Sequence, residues 1–160
     1  AENLRLVRAA THLPIIRKDF IFDRYQLWEA RAWGADAILL IVAGIAKNAL
    51  SELHHEASNA GLDVLVEVHN EVEAEIALEL GADLVGINNR NLATFETDLD
   101  VTDRLMPMFD DQVVTVSESA LTSLSDVKRV HQAGARAVLI GTAFCQSPNI
   151  VEKVREVMGW

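Results

Sequence analysis

Four side chains able to carry charge or steer a proton stand at or just past the end of short apolar runs. Lys18 follows Ile15 and Ile16, Glu67 follows Val64, Leu65 and Val66, Asn88 follows Val85 and Ile87, and Glu118 follows Val114 and Val116. A further apolar run passes directly into Gly141 and Thr142. Lysine and glutamate are residue types of general acid–base catalysis, and an amide can orient a polar substrate group. Taken singly, a lysine or glutamate at such a place is more often a solvated terminus than a catalyst. Asn88 with Asn89 and Arg90 reads equally well as turn chemistry, and Glu118 between Ser117 and Ser119 as a helix cap. If the fold brings these ends together, the balance moves towards a site.

The elements that must position them follow from a loose repeat. Gly34, Gly81 and Gly134 are each followed by alanine, one charged residue and a short apolar run. Each is preceded by apolar residues at helical spacing, such as Val72, Ile76 and Leu80, or Leu124, Val127 and Val130. The unit reads helix, glycine stop, buried strand. Carried along the chain, it predicts strands near 14–19, 37–42, 63–68, 84–88, 113–117 and 137–141. Helices are predicted near 23–33, 47–60, 71–80, 99–106, 123–133 and 149–158, with an amphipathic helix over 1–10 on Leu4, Val7 and Ala10. Six apolar strands alternating with helices, without a hairpin signal, argue a parallel α/β sheet covered on its outer face.

A doubly wound sheet and a (β/α) barrel both satisfy that pattern. No glycine-rich dinucleotide fingerprint and no phosphate-loop motif follows any strand, which removes the usual reasons for the first. A barrel brings all the polar strand ends to one face, whereas an open sheet strings them along an edge. The period of two in 63–68 points Asp63, Leu65 and Glu67 inward and Val64, Val66 and Val68 towards the helices. The expected fold is therefore a parallel (β/α) barrel of the TIM type.

Composition limits the partners. The 160 residues are half apolar and suit a single domain. With 14 basic against 24 acidic residues the net charge is −10, concentrated after residue 40, so nucleic acid and anionic membrane are not expected partners. The charge-free run Ala37 to Ala46 is half the ~20 residues that cross a bilayer. One cysteine, Cys145, permits no internal disulfide and fits a reducing, cytoplasmic setting.

Five segments together resemble one family. Pro14 to Phe20 with Arg17, Lys18 and Asp19, Leu65 to His69, Gly86 to Leu92, Val116 to Ser119 and Leu139 to Thr142 match, in order and spacing, the motifs of indole-3-glycerol phosphate synthase. The resemblance spans nearly the whole chain. It implies ring closure of 1-(2-carboxyphenylamino)-1-deoxyribulose 5-phosphate to indole-3-glycerol phosphate, with loss of carbon dioxide and water and without cofactor or metal. On this resemblance Lys18 is the general acid that protonates the ribulose carbonyl oxygen, and Glu67 handles the proton of the dehydration. Asn88 fixes a substrate hydroxyl or carboxylate, and Glu118 positions substrate and charged neighbours. Phe20 and Leu39 form apolar walls, and Arg90 is a supporting salt-bridge residue. Ser119 with Ala120, and Gly141 with Thr142, are the two turns whose N–H groups hold the phosphate.

The remaining candidates have plainer readings. His54, His55 and His131 sit on polar helix faces. His69 lies towards the site mouth, and with no second ligand at metal spacing no zinc site is expected. Cys145 reads as a packed apolar residue, and Leu27, Trp28 and Trp33 as packing against a sheet or partner. Two departures from the family stand out. The family's first-strand lysine and glutamate have no counterpart here, so the chain reads as six of eight βα units, residues 1–160 forming one partial barrel with the N-terminal units missing. Ala120 stands where the family usually has glycine. The first functional reading is therefore a synthase acting on a small phosphorylated substrate. The second is an inactive barrel fragment that keeps a phosphate site and self-associates through the open edges of its first and last strands.

Overall fold

The six apolar runs pair side by side in chain order, every neighbour parallel. In the computed structural model, which describes residues 2–160, the strands are β1 (Ile16–Arg17), β2 (Ala37–Ile41), β3 (Asp63–Val68), β4 (Leu84–Asn88), β5 (Val114–Glu118) and β6 (Ala137–Leu139). The helices are α1 (Glu2–Ala10), α2 (Arg24–Ala32), α3 (Lys47–Asn59), α4 (Glu71–Leu80), α5 (Asp100–Leu105), α6 (Leu124–Ala133), α7 (Thr142–Cys145) and α8 (Ile150–Met158). Among the described residues β1 and β6 each have one strand neighbour, so the sheet has two edges. No helix among them is long and apolar enough to cross a membrane.

Local sequence explains the boundaries. Asn70 caps α4 by accepting from the Glu73 N–H, and Ser123 caps α6 in a reciprocal box with Asp126. Gly81 and Gly134 end these helices with left-handed backbone, as the repeat requires. The expected strand 14–19 contracts to Ile16–Arg17, because Pro14 has no N–H and the Ile15 N–H is taken by the Asp36 carboxylate at 2.7 Å. The last strand stops at Leu139, where the β5–β6 register runs out opposite Glu118. Helix α7 was not anticipated, and after α5 the chain tightens into a 3₁₀ turn, Met106–Met108, at Pro107.

Two apolar layers lie on the two sides of the sheet. Ile38, Leu40, Val64, Val66, Val68, Val85 and Ile87 point outward onto Leu27, Leu50, Leu53 and Leu105 from the helices. Each such side chain contributes roughly 1.5–3 kcal/mol through burial. On the inner side Leu39, Ile41, Leu65 and Val116 form a smaller cluster, joined by Ile16, Leu84 and Leu139. The alternation expected over 63–68 therefore holds.

The sequence reading of the aromatic helix holds in part. Leu27 is fully buried, and Trp33 stacks under the Arg17 guanidinium, 4.7 Å from its ring centroid. Trp28, by contrast, is 56% exposed. Cys145 is exposed rather than packed, because α7 lies at the rim, beyond the end of β6. Helix α1 buries none of its side chains. It is held by Arg8, which pairs with Asp36 at 2.8 Å and donates to the carbonyls of Thr11 and Leu13.

Candidate active site

Above the inner apolar cluster, the next residues of the same strands are polar. Glu67 follows Leu65 by two positions, Asn88 follows Gly86 and Glu118 follows Val116, so the period of two delivers all three to one interior. Register sets their neighbours: Glu67 pairs with Gly86, and Asn88 with Glu118. Lys18, one residue past β1, reaches in from across the sheet. Its Nζ lies 2.9 Å from Glu67 Oε2 and 3.1 Å from Glu118 Oε2. The ammonium is partly exposed, whereas both carboxylates are buried. One cation thus serves two buried anions.

That imbalance separates the carboxylates. Burial pushes both up, but Glu67 also faces His69, receives the Asn88 amide at 3.0 Å and meets Lys18, so it falls to about 2. Glu118 has burial and the nearby Glu67 charge against it and only Lys18 in its favour, so it rises to about 7. Burial disfavours the Lys18 ammonium, but Glu118 and Glu67 outweigh it and raise its pKa. A buried carboxyl poised near neutrality therefore sits beside one that stays ionised.

Asn88 is locked from both sides. Its Nδ2 donates to Glu67 Oε1, and its Oδ1 accepts from the Arg90 N–H at 3.0 Å. Asn89 points the opposite way into a buried network. Its Nδ2 donates to Ser117 Oγ and to the Glu118 carbonyl, and its Oδ1 accepts from the N–H and hydroxyl of Thr102. Catalytic-type and anchoring amides are thus adjacent at the end of β4.

A cleft of about 280 Å³ opens beside Lys18 and Glu118, and Arg90, Ser119, Ala120, Gly141 and Thr142 line it. Ser119 and Ala120 both take left-handed backbone, φ 63° and 59°, which turns the chain sharply after Glu118. The methyl of Ala120 thus does not prevent the turn, although such backbone costs roughly 1–2 kcal/mol per non-glycine residue. Gly141 has φ −117°, which any residue can adopt.

Three other expected site residues are placed as follows, and only for Arg90 does the expected contact change. Phe20, two residues past Lys18, is 70% exposed and is not among the residues lining that cleft. Leu39 is buried in the inner cluster, below the polar layer. Arg90 makes no salt bridge among the described residues; its guanidinium donates to the Phe95 carbonyl at 2.9 Å and braces the loop after β4.

Sequence reasoning placed His69 at the mouth but missed its part in the cluster. Its Nδ1 lies 2.9 Å from Glu73 Oε2 and its Nε2 3.2 Å from Glu67 Oε1. Burial would lower it, but the two carboxylates raise it to about 9. The available signal was the spacing of two from Glu67, together with Glu73 at the capping position of the next helix.

Comparison with known proteins agrees with this geometry. The family model described as indole-3-glycerol phosphate synthase matches residues 1–157. An indole-3-glycerol phosphate synthase of Dehalococcoides mccartyi is 46% identical over 160 residues, covering 98% of this chain and 62% of the relative. One from Nocardioides sp. is 49% identical over 157 residues, covering 98% and 60%. The chain thus spans about three fifths of the length of these curated relatives. Among solved structures, 3-hexulose-6-phosphate synthase from Salmonella typhimurium superposes with a TM-score of 0.82 at 15% identity, covering 98% of this chain and 77% of that one. KGPDC from Streptococcus mutans in complex with D-R5P gives 0.77 at 15%, covering 99% and 77%. The structural likeness speaks for a shared parallel α/β fold, and the sequence match goes further: the chain belongs to the indole-3-glycerol phosphate synthase family.

Proposed function

We propose that the chain carries the greater part of the active site of an indole-3-glycerol phosphate synthase, a carboxy-lyase of tryptophan biosynthesis. The observation that carries this reading is the Lys18 ammonium held between Glu67 and Glu118 at 2.9 and 3.1 Å, beside a cleft whose far wall is the pair of turns at Ser119 and Gly141. The substrate phosphate would lie against the N–H groups of Ser119, Ala120, Gly141 and Thr142, which places the ribulose carbonyl towards Lys18. As the aromatic carbon attacks, Lys18 gives its proton to the carbonyl oxygen, and carbon dioxide leaves from the carbon that formed the new bond. Loss of water then completes the indole, with Glu118 exchanging the proton beside the ionised Glu67. Their separated pKa values suit this division, one group staying ionised and the other exchanging a proton near neutrality.

Asn88 holds Glu67 and offers its remaining hydrogen-bonding capacity to a substrate hydroxyl or carboxylate. Arg90 keeps the loop after β4 in place at the rim. No cofactor or metal enters this chemistry. The relatives' greater length fits a complete barrel of eight βα units, of which this chain supplies six, with the family's first-strand lysine and glutamate coming from the others. A single cysteine fits a cytoplasmic enzyme.

The test is formation of indole-3-glycerol phosphate, followed by its indole fluorescence, when this chain is combined with a supplied N-terminal piece bearing that strand. Turnover that disappears with Lys18→Met supports the reading. A folded, complementary pair with no turnover would remove it.

A further inference from the structure

We propose that His69 is a positioning residue, held as an imidazolium between Glu73 and Glu67, which keeps Glu67 ionised and fixed while Lys18 gives up its proton. This rests on the synthase reading of Lys18 and Glu67. The geometry is specific. Both ring nitrogens face carboxylate oxygens, Nδ1 at 2.9 Å from Glu73 and Nε2 at 3.2 Å from Glu67. A neutral imidazole carries only one N–H, and its bare nitrogen would point a lone pair at a carboxylate. Nδ1 is hydrogen-bonded to Glu73, whereas Nε2 meets Glu67 at ion-pair distance without hydrogen-bond alignment, so a positively charged ring is what a position between two carboxylates favours.

Glu73 is itself fixed. The Asn70 amide donates to its Oε1, and the His69 backbone N–H donates to its Oε2 at 2.9 Å. The first turn of α4 is therefore a rigid bracket for the ring. The remaining charged groups around the histidine are Arg90, Glu96, Asp98 and Arg104, which line the neighbouring cleft. Arg104 is paired with Glu71, and the Arg90 guanidinium bonds the Phe95 carbonyl.

The functional consequence concerns one moment of the cycle. With the ammonium of Lys18 in place, Glu67 has two cations and Glu118 has one. Once Lys18 has donated its proton it is a neutral amine, and two buried carboxyls are left without it. If both were then free to take a proton, Glu67 would compete with Glu118 for it. The imidazolium leaves Glu67 with a cation throughout, so proton uptake falls to Glu118.

The plain alternative is that His69 merely helps to cap α4. The two are separated by titrating the 160-residue chain, with ¹³C-labelled glutamate carboxyls and ¹⁵N-labelled histidine followed by NMR. In Lys18→Met, which mimics loss of the ammonium charge, Glu67 should remain ionised at about pH 5. Adding His69→Gln should raise the Glu67 midpoint by about one unit or more. A Glu67 that protonates equally in the single and double variants overturns the proposal, as does a His69 ring that titrates near its ordinary ~6.5. Should His69→Gln fail to fold, Glu73→Gln keeps the cap, since glutamine also serves at that position. It should lower the His69 midpoint by about one unit, and an unmoved midpoint again overturns the proposal. None of these readouts depends on turnover, so an inactive but correctly titrating protein would count against the synthase reading and not against the bracket.

Discussion

A Cβ built on Gly86 would collide with Oε1 of Glu118. The space beside β4 that a side chain would fill is taken by the carboxylate of the next strand. Gly86→Ala should therefore force Glu118 out of place and cost about 1–3 kcal/mol, the usual price of overpacking. In a Glu118→Ala background the same change should cost far less, because the colliding group is gone. Thermal unfolding of the four proteins measures the coupling, and equal costs in both backgrounds would show that the collision is relieved elsewhere.

Lys18→Met in the assembled enzyme should abolish most turnover and leave the fold intact, since the ammonium is partly exposed and its loss opens no apolar cavity. Glu67→Gln should slow the reaction and alter the pH profile, because it removes the anion that holds Lys18 and that raises Glu118. Full activity in either variant would remove that residue from the mechanism.

Inorganic phosphate should bind at the turns of Ser119 with Ala120 and Gly141 with Thr142, seen as amide shifts confined to those residues. Because Ala120 sits at φ 59°, Ala120→Gly relieves left-handed backbone. It should tighten phosphate binding if the methyl group crowds the anion. Shifts scattered over the surface instead would count against the site.

Stability should fall as pH rises from about 5 to about 9. Glu118, raised to about 7, binds a proton in the folded chain that the unfolded chain has already lost. His69, raised to about 9, does the same at higher pH. Both contributions are complete below the unfolded values and disappear as the pH passes the folded ones. Glu67 acts on the other side: held at about 2, its contribution is lost on acidification below the ordinary carboxyl range. His54, lowered by burial, opposes the trend slightly around its own titration. Melting temperatures across this range at constant ionic strength test the sign, and a rising alkaline limb would contradict it.

The two sheet edges, β1 and β6, should drive self-association of the isolated chain, since among the described residues each is paired on one side only. Light scattering over a dilution series should show mass above 17.6 kDa. The same preparation should have negligible synthase activity, and ordinary turnover by a monomer would refute both expectations.

Much of this arrangement was legible because it is local. The helix stops at Gly81 and Gly134 and the alternation that turns Glu67 inward are each written within a few residues. What escaped depends on distant partners. Gly86 matters only because Glu118, on the next strand, occupies its side-chain space. The bracket around His69 needs a helix turn to bring Glu73 back onto the ring, and the exposure of Phe20 and Cys145 depends on how rim segments leave the sheet. A short motif carries residue types, whereas these features are set by what lies across the fold.

Asn88, the last residue of β4, and Asn89, just past it, are the same residue type facing opposite ways, one bonded to Glu67 and the other to Thr102 and Ser117. A β4 that slipped by one position during folding would still offer an amide to each face, so this pair gives the strand no means of recognising its correct alignment. Recognition falls to its neighbour instead. A slip would bring Val85 or Ile87 to the place where Glu118 leaves room for no side chain. Folding fidelity at the strand that carries the site thus resides in the residue with nothing to offer chemically.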